Sequence, residues 1–224
     1  MIKTKKKGLL IVISGPSGCG KDTVVKSLME KNKNIWLSIS CTSREIRGNE
    51  KDGVDYYFLS NEEFEEKIKN NEMLEYAKYA DNYYGTPKEY ISKHLDNGED
   101  VILVIEIQGA LKIKELLPDT TFIFILPPSM DELKNRLTNR GTETIEKIDK
   151  RFKRAYTEIN EVSKYNYVVV NDEVNIASDK INAIITAERS RVDRIEEVFL
   201  NTKEESIHES ISNKKFINND IKIK

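Results

Sequence analysis

The chain has 224 residues, 38% hydrophobic and 33% charged, which suits one domain, or one domain with a small insert, and excludes a wholly disordered chain. Lys plus Arg number 36 against 38 Asp plus Glu, a formal net charge of −2. That balance excludes a constitutive pull on nucleic acid or an anionic membrane, so any bound anion must be met by a local arrangement of groups.

At the N-terminus Lys3, Lys5, Lys6 and Lys7 precede the apolar run 9–13. The run is too short for a secretory signal, and no small-residue cleavage site follows. No segment approaches the roughly 20 apolar residues that span a bilayer. Residues 8–13 form a branched apolar run ending at glycines, the pattern of a buried strand feeding a loop. A helix is predicted over 22–31 and a strand over 36–40.

Residues 41–90 differ in character and hold seven of the ten tyrosines. Short alternating stretches at 54–59 and 73–79 flank Ser60 and Glu63, which are spaced as a capping box ahead of Phe64 and Ile68. This stretch reads as a small β-rich insert that closes over a ligand. Pro87 is read as opening a helix that stops at Gly98.

Residues 101–107 are the strongest strand, interrupted only by Glu106, and 121–126 form another, halted by Pro127 and Pro128. Ser129 and Glu132 again fit a capping box, for a helix reaching Arg140 and Gly141. The next helix is long and amphipathic, with Ile145, Ile148, Phe152, Ala155, Ile159 and Val162 at spacings of three and four. Residues 167–170 are a last core strand, and a helix runs from about 175 into the 190s. The tail after Asn201 is polar and of mixed charge. Strands separated by helices imply an α/β fold with a parallel sheet and helices on both faces. Cys19 and Cys41 make no disulfide framework and read as free thiols of a reducing cytoplasm. His94 and His208 lack metal-ligand spacing.

Gly15-Pro16-Ser17-Gly18-Cys19-Gly20-Lys21 fits G-x-x-x-x-G-K between a predicted strand and a predicted helix, the context of a phosphate-binding loop. Glycines let consecutive N–H groups point at phosphate oxygens, the helix start adds its dipole, and Lys21 supplies a mobile charge. A nucleoside triphosphate is the ligand this implies. The residue after the lysine is usually Ser or Thr, whose hydroxyl meets Mg²⁺, but here Asp22 precedes Thr23. Either Asp22 faces away and Thr23 carries the polar role, or Asp22 helps hold a hydrated Mg²⁺. A blander alternative is that Asp22 serves the helix start by its charge.

The segment Ser40-Cys41-Thr42-Ser43-Arg44-Glu45-Ile46-Arg47 follows the second strand. Downstream come Asp52-Gly53, Tyr56, Glu75 and Asn82-Tyr83-Tyr84-Gly85-Thr86. With I-x-I-Q-G, F-I-L-P-P-S and R-G-T-E-T in that order, the chain resembles guanylate kinases over residues 8–191.

The resemblance implies a P-loop three-layer α/β fold with a mainly parallel sheet. Residues 1–40, 91–135 and 160–200 would form the core, 41–90 a GMP-binding insert, 136–159 a helical lid and 201–224 a polar tail. It implies phosphoryl transfer from ATP to GMP, and to dGMP, with Mg²⁺ as cofactor. ATP would be held by Gly15, Pro16, Ser17, Gly18, Cys19, Gly20, Lys21, Asp22 and Thr23, with Thr23 toward the metal through water. Asn171 and Asp172 fall where the family places the donor adenine.

Arg44, Arg47, Tyr56 and Tyr84 match the residues that hold the GMP phosphate, where two guanidinium forks meet a dianion. Ser40, Glu75 and Thr86 match the readers of guanine, whose Watson–Crick edge offers two adjacent N–H donors to a carboxylate. Arg136, Arg140 and Arg151 match the lid arginines, which with Lys21 and Arg44 would compensate transition-state charge. The family usually carries two aspartates where this chain has Val104 and Glu106. Only Glu106 keeps an acidic group near GMP, and it is one methylene longer. The expected partners are the two nucleotides, with no nucleic acid and no membrane, for a cytoplasmic monomer or homodimer. The rivals are a non-catalytic binding module, as in related scaffold-protein domains, and a kinase for another monophosphate.

Overall fold

The protein is described by a computed structural model covering residues 2–79, 81–138 and 145–200. In chain order the elements are β1 (Ile2–Lys6), β2 (Leu10–Ser14), α1 (Lys21–Lys31), β3 (Ile35–Leu37), β4 (Cys41–Thr42), β5 (Tyr57–Phe58), α2 (Asn61–Lys69), β6 (Met73–Tyr79) and β7 (Asn82–Pro87). Then come α3 (Glu89–Asp96), β8 (Asp100–Val104), α4 (Ile107–Leu116), β9 (Thr121–Leu126), α5 (Met130–Thr138), α6 (Ile145–Ile159), β10 (Tyr167–Val170), α7 (Val174–Arg189) and β11 (Ile195–Leu200). The predicted helix end at Arg140 lies outside the described residues.

The central sheet has the order β10-β9-β2-β8-β3 and is parallel throughout. Strand β2 reads as an unbroken apolar run because both of its faces are covered. Leu9, Ile11 and Ile13 pack on one side with Val24, Val25 and Leu28 of α1 and Ala177, Ile181 and Ile185 of α7. Leu10 and Val12 pack on the other with Ile91 of α3 and Ala110 and Ile113 of α4. The period of two along the strand thus builds two cores and three layers.

A second sheet, of order β5-β4-β7-β6, is built from residues 41–87. Helix α2 covers it through Phe64, against Cys41 and Met73. The capping box that starts α2 is complete: Ser60 Oγ accepts from Glu63 N at 3.1 Å, and Glu63 Oε2 accepts from Ser60 N at 2.7 Å. Helices α5 and α6 share a smaller cluster of Leu133, Leu137 and Ala155.

Several elements differ from the sequence reading. The apolar run 101–107 is two elements, β8 ending at Val104 and α4 beginning at Ile107, with Glu106 as its N-cap. Helix α4 was hidden because its first residue, Ile107, extends the apolar run past Glu106 and so reads as strand. Pro87 ends β7 rather than opening a helix, and α3 starts two residues later. The α-helix from Ile145 stops at Ile159, and Val162 lies in the 3-10 turn Asn160–Lys164. Strand β10 is an edge strand, with Val168 and Val170 exposed. Strand β1, to which the sequence reading assigned no element, pairs antiparallel with β11.

Candidate active site

The glycine-rich loop leaves the carboxyl end of the central strand β2, beside the carboxyl end of β8, where parallel sheets receive ligands. Gly20 is the residue before α1, with φ 89°, a left-handed conformation that glycine tolerates. A Cβ there would stand 2.5 Å from Asn171 Nδ2, so space and backbone both demand glycine. Asn171 Nδ2 donates to Cys19 O at 2.8 Å, tying the loop to the chain just after β10. Lys21 Nζ donates to Gly15 O at 2.7 Å and Pro16 O at 3.3 Å, so its ammonium curls back across the loop. The Cys19 thiol is buried, and burial pushes its pKa up, which keeps it protonated and inert.

One cavity of about 360 Å³ joins this loop to the 41–87 sheet. Ser17, Gly18, Gly20, Lys21, Asp22 and Thr23 line its loop side. Ser40, Arg44, Arg47, Tyr56, Glu75 and Tyr84 line the opposite side, and Val104 and Glu106 the floor between. Residues far apart in the chain therefore share one cleft, and both arginines face into the cavity that Lys21 lines.

Arg44 is oriented by a residue that the sequence reading did not single out. Its Nη1 and Nη2 donate to Glu50 Oε2 and Oε1 at 2.7 and 2.6 Å, and Nη1 also reaches Glu45 O at 2.8 Å. Its guanidinium lies 5.0 Å from the Tyr56 ring centroid, and Tyr56 meets Tyr84 edge-on at 6.4 Å. The Arg44 hydrogen bonds, with the Arg47 backbone N–H, hold the Glu50 carboxyl down to about 2. Three of the five guanidinium N–H donors of Arg44 are thus committed to protein oxygens.

Glu75, on β6, is 8% exposed. Its Oε1 accepts from Thr86 Oγ1 at 2.8 Å across the β6–β7 pair, where the two residues are in register. Burial raises the Glu75 pKa, with Thr86 and Lys112 opposing. Thr86 stands behind Glu75 rather than on the cavity wall. A Cβ on Gly109, in the first turn of α4, would come within 2.6 Å of Glu75 Oε2.

Helices α5 and α6 approach from the loop side. Arg136 donates to Asn171 O at 3.1 Å and Cys19 O at 3.5 Å, and its Nε to Glu132 at 2.8 Å. Arg151 Nη2 donates to Ser17 Oγ at 2.6 Å. Arg136, Arg151 and Asn171 therefore touch the loop from outside the cavity, with Gly15, Pro16 and Cys19 forming the loop's inner frame. Arg140 lies outside the described residues. Arg154, missed in the sequence, lines the cavity itself. Its position three residues after Arg151 on one helix was the available signal.

No three-residue cluster of His, Cys, Asp or Glu suited to a metal occurs among the described residues. Mg²⁺ that rides on nucleotide phosphates asks for less: one or two hard oxygen donors, with the substrate and water supplying the rest. Thr23 and Asp22, exposed on the cavity wall beside Lys21, fit that demand.

Comparison with known proteins follows the same lines. The Guanylate kinase family profile matches residues 7–188. The guanylate kinase of Clostridium tetani is 60% identical over 206 residues, spanning 92% of this chain and 99% of that protein. That of Caldanaerobacter subterraneus subsp. tengcongensis is 59% identical over 203 residues, spanning 91% and 98%. Among solved structures, the guanylate kinase from Anaplasma phagocytophilum superposes with a TM-score of 0.73 at 37% identity, over 87% of this chain and 93% of its own.

Proposed function

The chain belongs to the guanylate kinase family, an ATP:GMP phosphotransferase, and from that membership we propose how its own residues divide the work. The observation that carries the reading is the single cavity in which Lys21 on a phosphate loop faces Arg44, Arg47, Tyr56, Tyr84 and Glu75.

The loop amides from Gly15 to Gly20 and the start of α1 hold the donor phosphates. Lys21, released from Gly15 O and Pro16 O, follows the transferring group. On the acceptor side Arg44 and Arg47 neutralise the GMP phosphate dianion, and the Tyr56 and Tyr84 hydroxyls donate without adding charge. Because Glu50 fixes the Arg44 fork in advance, little reorganisation is left for the moment of binding. Glu75 accepts from the two N–H donors of the guanine edge, with Thr86 orienting it and Ser40 beside it. Adenine offers a lone pair at the ring position and would leave the Glu75 carboxylate unpaired.

Helix α5 carries Arg136 and helix α6 carries Arg151, lid arginines that add positive charge over the transferring phosphoryl group and exclude water; Arg140, outside the described residues, is assigned with them from the sequence alone. Asn171 lies on the donor-adenine side. Mg²⁺ would be held by Thr23, through water, with Asp22 at hand, and supplies charge neutralisation on the donor phosphates when bound. The attacking atom is a phosphate oxygen of GMP or dGMP, so no side-chain nucleophile is required. Residues 41–90 act as the acceptor-binding unit, 136–159 as the lid and the remaining described chain as the core, in a cytoplasmic monomer or homodimer.

A coupled assay of ADP release with GMP, dGMP, AMP, UMP and CMP tests this. GMP and dGMP should turn over, and the others should lag by orders of magnitude. AMP preference would overturn the base assignment, and GMP-independent ADP release would overturn the acceptor site.

A further inference from the structure

Two residues of the cleft floor follow one another at close spacing, Val104 without charge and Glu106 with it. Glu106 does not point only toward the acceptor side: its Oε2 accepts from Arg154 Nη2 at 2.9 Å. The same guanidinium donates through Nε to Glu158 Oε1 at 2.6 Å, one helical turn further along α6. Glu158 is 12% exposed at its side chain, Arg154 37% and Glu106 68%, so the pairing with Glu158 is the better sheltered of the two and the one with Glu106 stands open to water. Arg154 is thus gripped at two edges of its planar fork, by its own helix and by the N-cap of α4.

Arg151 and Arg154 are three residues apart and share a face of α6. Arg151 reaches Ser17 on the phosphate loop at 2.6 Å, while Arg154 reaches Glu106 across the cavity floor. One short helical face therefore touches the phosphate loop and the floor of the cleft at once. The longer reach of Glu106, one methylene beyond an aspartate, brings its carboxylate to α6.

We propose that Arg154 is a positioning residue for phosphoryl transfer, which pairs with Glu106 so that α6 is held to the floor of the cleft with Arg151 at the phosphate loop. It acts through the placement of α6 and not by gripping either nucleotide in the ground state. Its loss belongs in kcat, because transfer needs both halves aligned to within a fraction of an ångström whereas each nucleotide binds to its own half. The inference rests on the GMP kinase reading.

The test is steady-state kinetics of Arg154→Ala, Arg154→Lys, Glu106→Gln and the Arg154→Ala/Glu106→Gln double variant, with thermal melts. Arg154→Ala should lower kcat about tenfold or more, with the KM for ATP and for GMP within about twofold of the parent. The double variant should be no slower than the slower single one, since both remove the same contact. Arg154→Lys keeps a cation opposite Glu106 without the fork and should recover part of the loss. Parent-like kcat in Arg154→Ala, or losses that multiply in the double variant, would overturn the proposal. So would a kcat loss matched by an equal loss of folded protein in the melt. If Arg154→Ala does not fold, Arg154→Lys decides by the same split: reduced kcat at parent KM supports the proposal, and parent kcat overturns it. Parent turnover of GMP is measured alongside, and its absence would sink the kinase reading, not this inference alone.

Discussion

Glu75 and Glu50 are two carboxylates of one cleft whose surroundings push them in opposite directions. Burial raises the Glu75 pKa, so its charged form costs folding stability as pH rises through the window between its unfolded and folded values. Glu75→Gln should therefore melt at or above the parent temperature at neutral pH without nucleotide, yet raise the KM for GMP at least about tenfold while the KM for ATP stays unchanged. Parallel melts and kinetics check both halves of that statement. GMP donors favour the charged form, so GMP binding by the parent should weaken as pH falls through the raised pKa. That part of the pH dependence should vanish in Glu75→Gln.

Glu50 runs the other way. Its pKa is held at about 2 by Arg44, so the stability it contributes is present above the unfolded value and lost only as pH falls toward about 2. Glu50→Gln keeps the shape but gives up the charged pairing, so GMP KM should rise several-fold and the melting temperature at pH 7 should fall, a difference that narrows as pH drops toward about 2. Lys21→Ala should abolish turnover with a parent-like melt, because Lys21 is bonded to loop carbonyls and not buried in either core. The motif made Lys21 legible in the sequence. Glu50 was not legible, because a carboxylate six residues from an arginine on an irregular loop has no periodicity to mark it.

At the scale of elements, the contact between α4 and β6 sets the surroundings of the Glu75 carboxylate. Gly109 leaves room for the Glu75 carboxylate, and a methyl group there would collide with the far end of that side chain. Gly109→Ala should displace Glu75 and raise GMP KM with ATP KM unchanged, a split that kinetics would show directly. The strands of the central sheet could be read from their unbroken apolar runs, and α2 from its capping box, because those signals are local. The start of α4 could not, since Ile105, Ile107 and the residues before them satisfy strand and buried-helix patterns alike. The coupling of β8 to α7 was equally invisible. Asp100, fully buried, accepts from Leu9 N at 2.9 Å and is paired with Arg189 at 2.8 Å. Arg189→Ala would strand that carboxylate and should cost about 3 kcal/mol, read from denaturant unfolding.

At the scale of the molecule, the cleft is assembled by segments that meet only in three dimensions: the loop after β2, the small sheet, the start of α4 and the face of α6. Motif order supplied their identity. The pairings Arg44–Glu50 and Arg154–Glu106, which fix the orientation of the cleft arginines, came only from the fold. The β1–β11 pairing escaped for a related reason: its partners stand at opposite ends of the chain, and a lysine-rich segment carries little strand signal of its own. In that ribbon Ile2 lies opposite Leu200 and Lys6 opposite Ile195, so the outermost rung holds both chain-terminal ends of the pair. Tension applied between those ends would peel the ribbon open one rung at a time, like a zip, instead of shearing all its hydrogen bonds together. The five-stranded core would bear load only after the ribbon had parted, which makes this pairing a mechanical fuse ahead of the nucleotide cleft.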